Sequence, residues 1–218
     1  PISRGFASSA ACSTAFAVAL AKSTGISVPA DMFIDIARDG ERIVHKNINA
    51  GKIDVNTSFY GGCVLYSDST GAIKEALPEG IQILAIDTGP KRPTSETVGN
   101  VTRALESDRE GTLKKFDQIE ECTKKGIEAL KQNNLKVAGD FMYKNQELLK
   151  ALGVSSPSLD YAVTIAKENG AYGAKLSGGG GGGVAIVLSE ESAKLMDKFK
   201  SVGFKAYLVN ISNDGIIK

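Results

Sequence analysis

The stretch Lys175-Leu176-Ser177-Gly178-Gly179-Gly180-Gly181-Gly182-Gly183 leaves one apolar segment, Ala174 to Leu176, and enters another, Val184 to Leu188. Six consecutive glycines lose much conformational entropy when ordered, more than a plain turn calls for. A glycine-rich linker is the simple alternative, but such linkers join separate bodies and seldom sit between two apolar strands. The pattern predicts a strand–loop–strand unit whose bare backbone N–H groups wrap a phosphate or a molecule receiving one.

A second small-residue motif stands near the start: Gly5-Phe6-Ala7-Ser8-Ser9-Ala10-Ala11, opening an Ala/Val/Leu-rich run that extends to Lys22 and stops at Gly25. The run reads as a buried helix with a glycine stop. The loop in front of it reads as an anion site, because first-turn N–H groups lack intrahelical partners and the macrodipole adds to their pull. Ser8 and Ser9 could add hydroxyls to a phosphate or a metal ion. The plainer reading is a serine N-cap on a core helix. No Gly-Lys-Ser/Thr ending follows, so this is not a Walker A loop.

Between and beyond these motifs the pattern alternates. Pro29 to Val44 reads as a helix with proline near its start. Phe59 to Ser67 and Ile81 to Ile86 read as strands. Helical patterns cover Ser95 to Asn133, Asn134 to Leu152 and Ser158 to Asn169, the last two stopped by Gly153 and Gly170. A short helix over Glu190 to Val202 and a strand over Lys205 to Val209 finish the chain. Helices and strands without strict βαβ repetition indicate an α+β fold. A composition shift at Leu77-Pro78 predicts two domains, 1–78 and 79–218.

The formal charge is +1, which argues against a general nucleic-acid or membrane-surface binder. The three cysteines show no metal-ligand spacing, and Cys12 and Cys63 read as small core residues. The apolar stretch Ala10 to Ala21 is too short to span a bilayer, and no basic region precedes it. A reducing, cytoplasmic setting is expected. Asp54 before Asn-Thr-Ser reads by itself as a cap or turn residue, and Glu41 with His45 as a solvated helix face.

Taken together and in order, these residues resemble the GHMP kinases. Gly5 to Ala11 after Pro1 resembles their second motif, P-x-x-x-G-L-G-S-S-A-A, and Lys175 to Gly183 their third, K-L-T-G-A-G-G-G-G. Asp54 with Gly61-Gly62 matches their D-x₆-G-G. Leu152-Gly153-Val154-Ser155-Ser156-Pro157-Ser158-Leu159-Asp160 is similar to the L-G-V-S-H-P-x-L-D segment of the mevalonate-kinase branch, and Asp87-Thr88-Gly89 with Arg92 and Thr94 resembles that branch's substrate segment.

The resemblance implies a two-lobed fold, a ribosomal-S5-like N-terminal lobe followed by a ferredoxin-like C-terminal lobe. It implies ATP-dependent phosphorylation of mevalonate with Mg²⁺, and a homodimer. On the matching positions, Gly5, Phe6, Ala7, Ser8 and Ser9 would wrap the ATP phosphates, and Ser9 and Glu41 would hold Mg²⁺. Asp54 would be catalytic base or orienting charge. Arg92, Thr94, Ser177, Gly178, Gly179 and Gly180 would place substrate and transferring phosphoryl group. Phosphomevalonate kinase, another GHMP kinase, or a silent ligand-binding homologue are the alternatives.

The chain departs from the pattern in places. Phe6 and Ala7 replace Leu and Gly, so a positive φ at Ala7 would strain the loop. Gly179 replaces Ala. The approach from His45 to Asp54 is two residues longer than H-G-x-P-S-G-x-D and lacks its Pro and Ser. The family's first motif, with its lysine and G-E-H residues, has no counterpart in these 218 residues. An N-terminal segment of the same protein is therefore an expected partner, and the chain alone is expected to be inactive, with apolar surface left uncovered.

Overall fold

The computed structural model describes residues 6–45, 52–89 and 94–216. They form eight helices and six strands in two compact units.

The first unit comprises residues 7–77 together with 211–216. Helices α1 (Ser8–Thr24), α2 (Ala30–His45) and α3 (Ile53–Tyr60) precede a hairpin of β1 (Cys63–Ser67) and β2 (Gly71–Glu75). Although α1 is apolar nearly all round, its small face is the one that packs. Ala10, Thr14, Ala17, Val18 and Ala21 are buried at helical spacing, against Phe33, Ile34 and Ala37 of α2 and Val55 and Phe59 of α3. Small side chains let helices approach closely, so the opposite face is left outside. Phe16 is 71% exposed, Leu20 53%, and Cys12 is exposed too. The expectation of a core Cys12 is thus wrong, because it shares the i, i+4, i+8 stripe of Phe16 and Leu20; Cys63 is half-buried.

Two elements differ from the sequence expectation. Residues 59 and 60 end helix α3 and do not open a strand; β1 starts only at Cys63 after two glycines with φ near +66° and +69°. The segment after Asn210, assigned from sequence to the C-terminal domain, packs on the first unit. Gly62 N–H donates to Ser212 O (2.7 Å), Ile216 N–H to Phe59 O (3.1 Å), and Lys74 Nζ to Asn213 O (2.7 Å). The glycine pair makes this approach possible. A Cβ on Gly61 would stand 2.4 Å from the backbone of Asp214 and Gly215.

The second unit comprises residues 78–210, with Phe6 grouped with them among the described residues. Strands β3 (Gln82–Asp87), β4 (Gly173–Leu176), β5 (Val184–Leu188) and β6 (Lys205–Asn210) form an antiparallel sheet in the order β4-β5-β3-β6. Helices α4 (Thr94–Ser107), α5 (Arg109–Lys131), α6 (Leu135–Ala151) and α7 (Pro157–Glu168) intervene between β3 and β4, and α8 (Ser192–Ser201) between β5 and β6. This is ferredoxin-like topology with an enlarged first crossover. Leu84, Ile86, Ala174, Leu176, Ala185 and Val187 form a core with α7 and α8, in which Leu159 and Phe199 are fully buried. The helical pattern over 95–133 breaks into two because Asp108 leaves helical geometry and its side chain caps α5 at Gly111 N–H. No described helix is long and apolar enough to cross a membrane.

Gly61→Ala is expected to lower stability by about 2 kcal/mol or more, through left-handed strain and loss of the 212–216 pairing. A denaturant midpoint measured against wild type checks it, with Gly80→Ala as a control for strain alone, since Gly80 has a positive φ and open space.

Candidate functional site

In the first unit, Ala7 precedes α1 with φ 50° and ψ 32°, a left-handed conformation in which glycine would cost less. The strain expected at this substitution is present. It turns the chain so that Ser8 and Ser9 enter the first helical turn. The N-cap residue is Ala7, which makes no side-chain cap hydrogen bond, so neither Ser8 nor Ser9 is the N-cap. The Ser9 hydroxyl instead donates to Glu41 Oε2 at 2.7 Å, and Ser13, one turn on, donates to Oε1 at 3.0 Å. Glu41 is 8% exposed. A carboxylate so far from water needs such donors.

Ser9 and Glu41 thus lie side by side at the open end of α1, where N–H groups are unmatched within the helix. The set is one carboxylate and hydroxyl oxygens. Among the described residues no three His, Cys, Asp or Glu side chains cluster as a metal site. Few hard-oxygen ligands fit Mg²⁺, which keeps its waters and takes phosphate oxygens. They fit poorly to a metal needing a full protein cage.

Asp54 is exposed in the first turn of α3, where the macrodipole favours an anion. The start of that helix is tied to α2 by Lys52, whose ammonium lies 2.7 Å from Asp35 Oδ1. The hydrogen bond from Lys52 holds the Asp35 carboxyl below its ordinary value. The expected loop between His45 and Asp54 falls, at residues 46–51, outside the described residues, as do Gly5 and Arg92. Phe6 and Ser8 are half-buried.

In the second unit the glycine run is an ordered loop, which excludes a linker. Gly178, Gly180, Gly181, Gly182 and Gly183 all have positive φ. Ser177 N–H donates to Val184 O (2.9 Å), and Gly183 O accepts from both the N–H and the hydroxyl of Thr88 (2.8 and 2.9 Å). The middle of the loop is held by Val154 O, which accepts from Gly181 N–H at 2.8 Å. A Cβ on Gly180 would lie 2.0 Å from that same oxygen. Gly178 and Gly179 are exposed, Ser177 half-buried, and Thr94 opens α4.

Sequence reasoning missed the residues that hold the Val154 segment. Gln146, 1% exposed, accepts from Leu176 N–H (2.8 Å) and donates to Ser155 Oγ (3.1 Å). Ser155 donates to Asp160 Oδ1 (2.7 Å), which Lys150 approaches at 3.2 Å through Oδ2. A glutamine at a core position of an amphipathic helix was the available signal. Ser13 was also missed, though its i+4 spacing from Ser9 marks a shared helix face.

Two family models match the chain: the GHMP kinase N-terminal domain over residues 1–62 and the GHMP kinase C-terminal domain over residues 127–204. A galactokinase from Thermosipho africanus is 30% identical over 259 residues, covering 100% of this chain and 73% of its own length. The chain belongs to the GHMP kinases. A mevalonate kinase from Saccharolobus solfataricus is 30% identical over 192 residues, covering 84% of this chain and 60% of its own. The crystal structure of L. major mevalonate kinase in complex with R-mevalonate superposes with a TM-score of 0.80 at 24% identity, covering 94% of this chain and 66% of that one. The chain thus spans about three fifths to two thirds of the length of these mevalonate kinases.

Gly180→Ala should push the loop off Val154. Hydrogen exchange of the Gly181 amide is expected to accelerate at least tenfold while exchange in the β5 core stays unchanged.

Proposed function

We propose that this chain transfers the γ-phosphoryl group of ATP to the 5-hydroxyl of mevalonate, giving 5-phosphomevalonate for isoprenoid biosynthesis. The observation that carries the reading is the Ser9–Glu41 pair at 2.7 Å beside the start of α1, in a chain whose relatives include several mevalonate kinases.

Phosphoryl transfer asks for positioning, charge neutralisation and a carboxylate near the attacking oxygen. Ser9 and Glu41 would hold Mg²⁺, which when bound neutralises phosphate charge. Residues Gly5 to Ser9 offer their N–H groups to the ATP phosphates. Asp54 takes the proton of the attacking hydroxyl, or fixes its direction, as the oxygen–phosphorus bond to ADP breaks and the new one forms. Arg92, Thr94 and the loop from Ser177 to Gly180 place the acceptor. The first-motif residues have no counterpart in these 218 residues, so turnover by them alone is expected to be slow.

The galactokinase from Thermosipho africanus favours a second reading, a GHMP kinase acting on a sugar. ADP release with mevalonate, phosphomevalonate and galactose as acceptors separates the readings. Mevalonate is expected to give at least ten times the kcat/KM of the others; equal or better use of galactose overturns the first reading. The ratio is the readout, because it survives a low absolute rate.

Asp54→Asn is expected to lower kcat by about 10²–10⁴, the range for loss of a general base, with KM for ATP little changed. Glu41→Gln should raise the Mg²⁺ concentration needed for half-maximal rate; an unchanged Mg²⁺ dependence would remove Glu41 from the metal site.

A further inference from the structure

In the second unit, α6 is pressed onto the edge strand β4 through two glycines: a Cβ on Gly139 would lie 2.1 Å from Tyr172 O, and one on Gly173 2.4 Å from Gly139 Cα. Two residues after Gly173 along β4 stands Lys175. Residues 174 and 176 point into the core, so by strand alternation Lys175 points to the other face, the one carrying Gly173 and α6.

There it lines a cavity of about 210 Å³ between α5 and α6. One helix contributes Cys122, Thr123, Gly126, Ile127 and Leu130, the other Ala138, Phe141, Met142 and Asn145. The walls are largely apolar, and the polar side chains among them include Thr123 and Asn145, the latter 6% exposed. The Lys175 ammonium donates to Leu176 O at 2.9 Å. It has three donors, and among the described residues it forms no ion pair with a carboxylate. Burial alone lowers its pKa to about 8. Burial likewise raises the Cys122 thiol, with the exposed Lys144 opposing, so the thiol brings no charge to the cavity near neutral pH.

A half-buried cation with no carboxylate partner among the described residues, lining a largely apolar cavity, is matched to a ligand with a single negative charge and a short hydrocarbon tail. The volume is that of about seven water-sized groups at ~30 Å³ each. We propose that the α5–α6 cavity is a binding site for a short-chain monocarboxylate, its carboxylate on Lys175 and its tail among Ile127, Leu130, Phe141 and Met142. A phosphate dianion would keep half its charge unmatched and leave the apolar walls empty.

The test is calorimetric titration of the protein with hexanoate, without nucleotide, so that phosphotransfer plays no part. Saturable binding of hexanoate is expected, at least tenfold tighter than of hexanol or hexylammonium. Because the amine is mostly neutral at about pH 9 given a pKa of about 8, binding there should take up close to one proton, read from two buffers of different ionisation heat. Lys175→Met should weaken hexanoate at least tenfold and abolish the proton uptake. Gly126→Leu, which fills the cavity from an ordinary helical position and leaves the lysine in place, should weaken it as much and serves if the first variant misfolds. No saturable binding, equal affinity for hexanol, or unchanged affinity in the folded variants would each overturn the proposal.

Discussion

A carboxylate withdrawn from water must be given hydrogen-bond donors, and the first unit meets this demand at Glu41. Its two oxygens take the hydroxyls of Ser9 and Ser13, one turn apart on α1, and this fixes the register of α2 against α1. Contact this close needs small residues between the helices. Ala10, Ala17 and Ala21 of α1 and Ala37 of α2 are each 9% exposed or less and belong to one core cluster. The N-cap residue of α1 is Ala7, which has no hydroxyl to offer, and the Ser9 hydroxyl within the first turn is turned to Glu41. The strained Ala7, at φ 50°, is the companion cost, of order 1–2 kcal/mol for a residue with a Cβ.

The second unit solves a different problem, how to order six glycines. Their entropy is offset by fixing both ends of the loop in the sheet and its middle on one carbonyl, that of Val154. That carbonyl is presented by a segment itself braced by Gln146, Ser155 and Asp160. This gives a physical reason for the leucine-glycine-valine segment. Gly153, at φ 73°, ends α6 and turns the chain so that Val154 meets the loop.

Much of this was legible in the residues. The apolar runs and glycine stops located α1, α6 and α7, and the two glycine-rich motifs marked both loops. What escaped was set by tertiary contact. Helix α3 is short, and its Phe59 and Tyr60 look like strand residues until they are seen packing on Phe33 and each other. Cys12 looked like core because α1 has apolar residues on every side, and only the choice of the small face decides which are covered. The bond from Ser9 to Glu41 spans 32 residues and leaves no periodic trace. The role of Gly61-Gly62 was legible as a motif but not as a cause, since the backbone they admit comes from residues 212–216.

That returning segment makes the first unit discontinuous, with the whole of 78–210 inserted between its parts. During synthesis the inserted unit can leave the ribosome with all its strands, whereas the earlier one must wait for residues near the end of this chain before Gly62 and Phe59 find their backbone partners. The helices carrying Ser9, Glu41 and Asp54 are thus translated early and completed late. A chain ending at Asn210 would keep all four strands of the second unit's sheet and take from the first unit the backbone partners of Gly62 and Phe59.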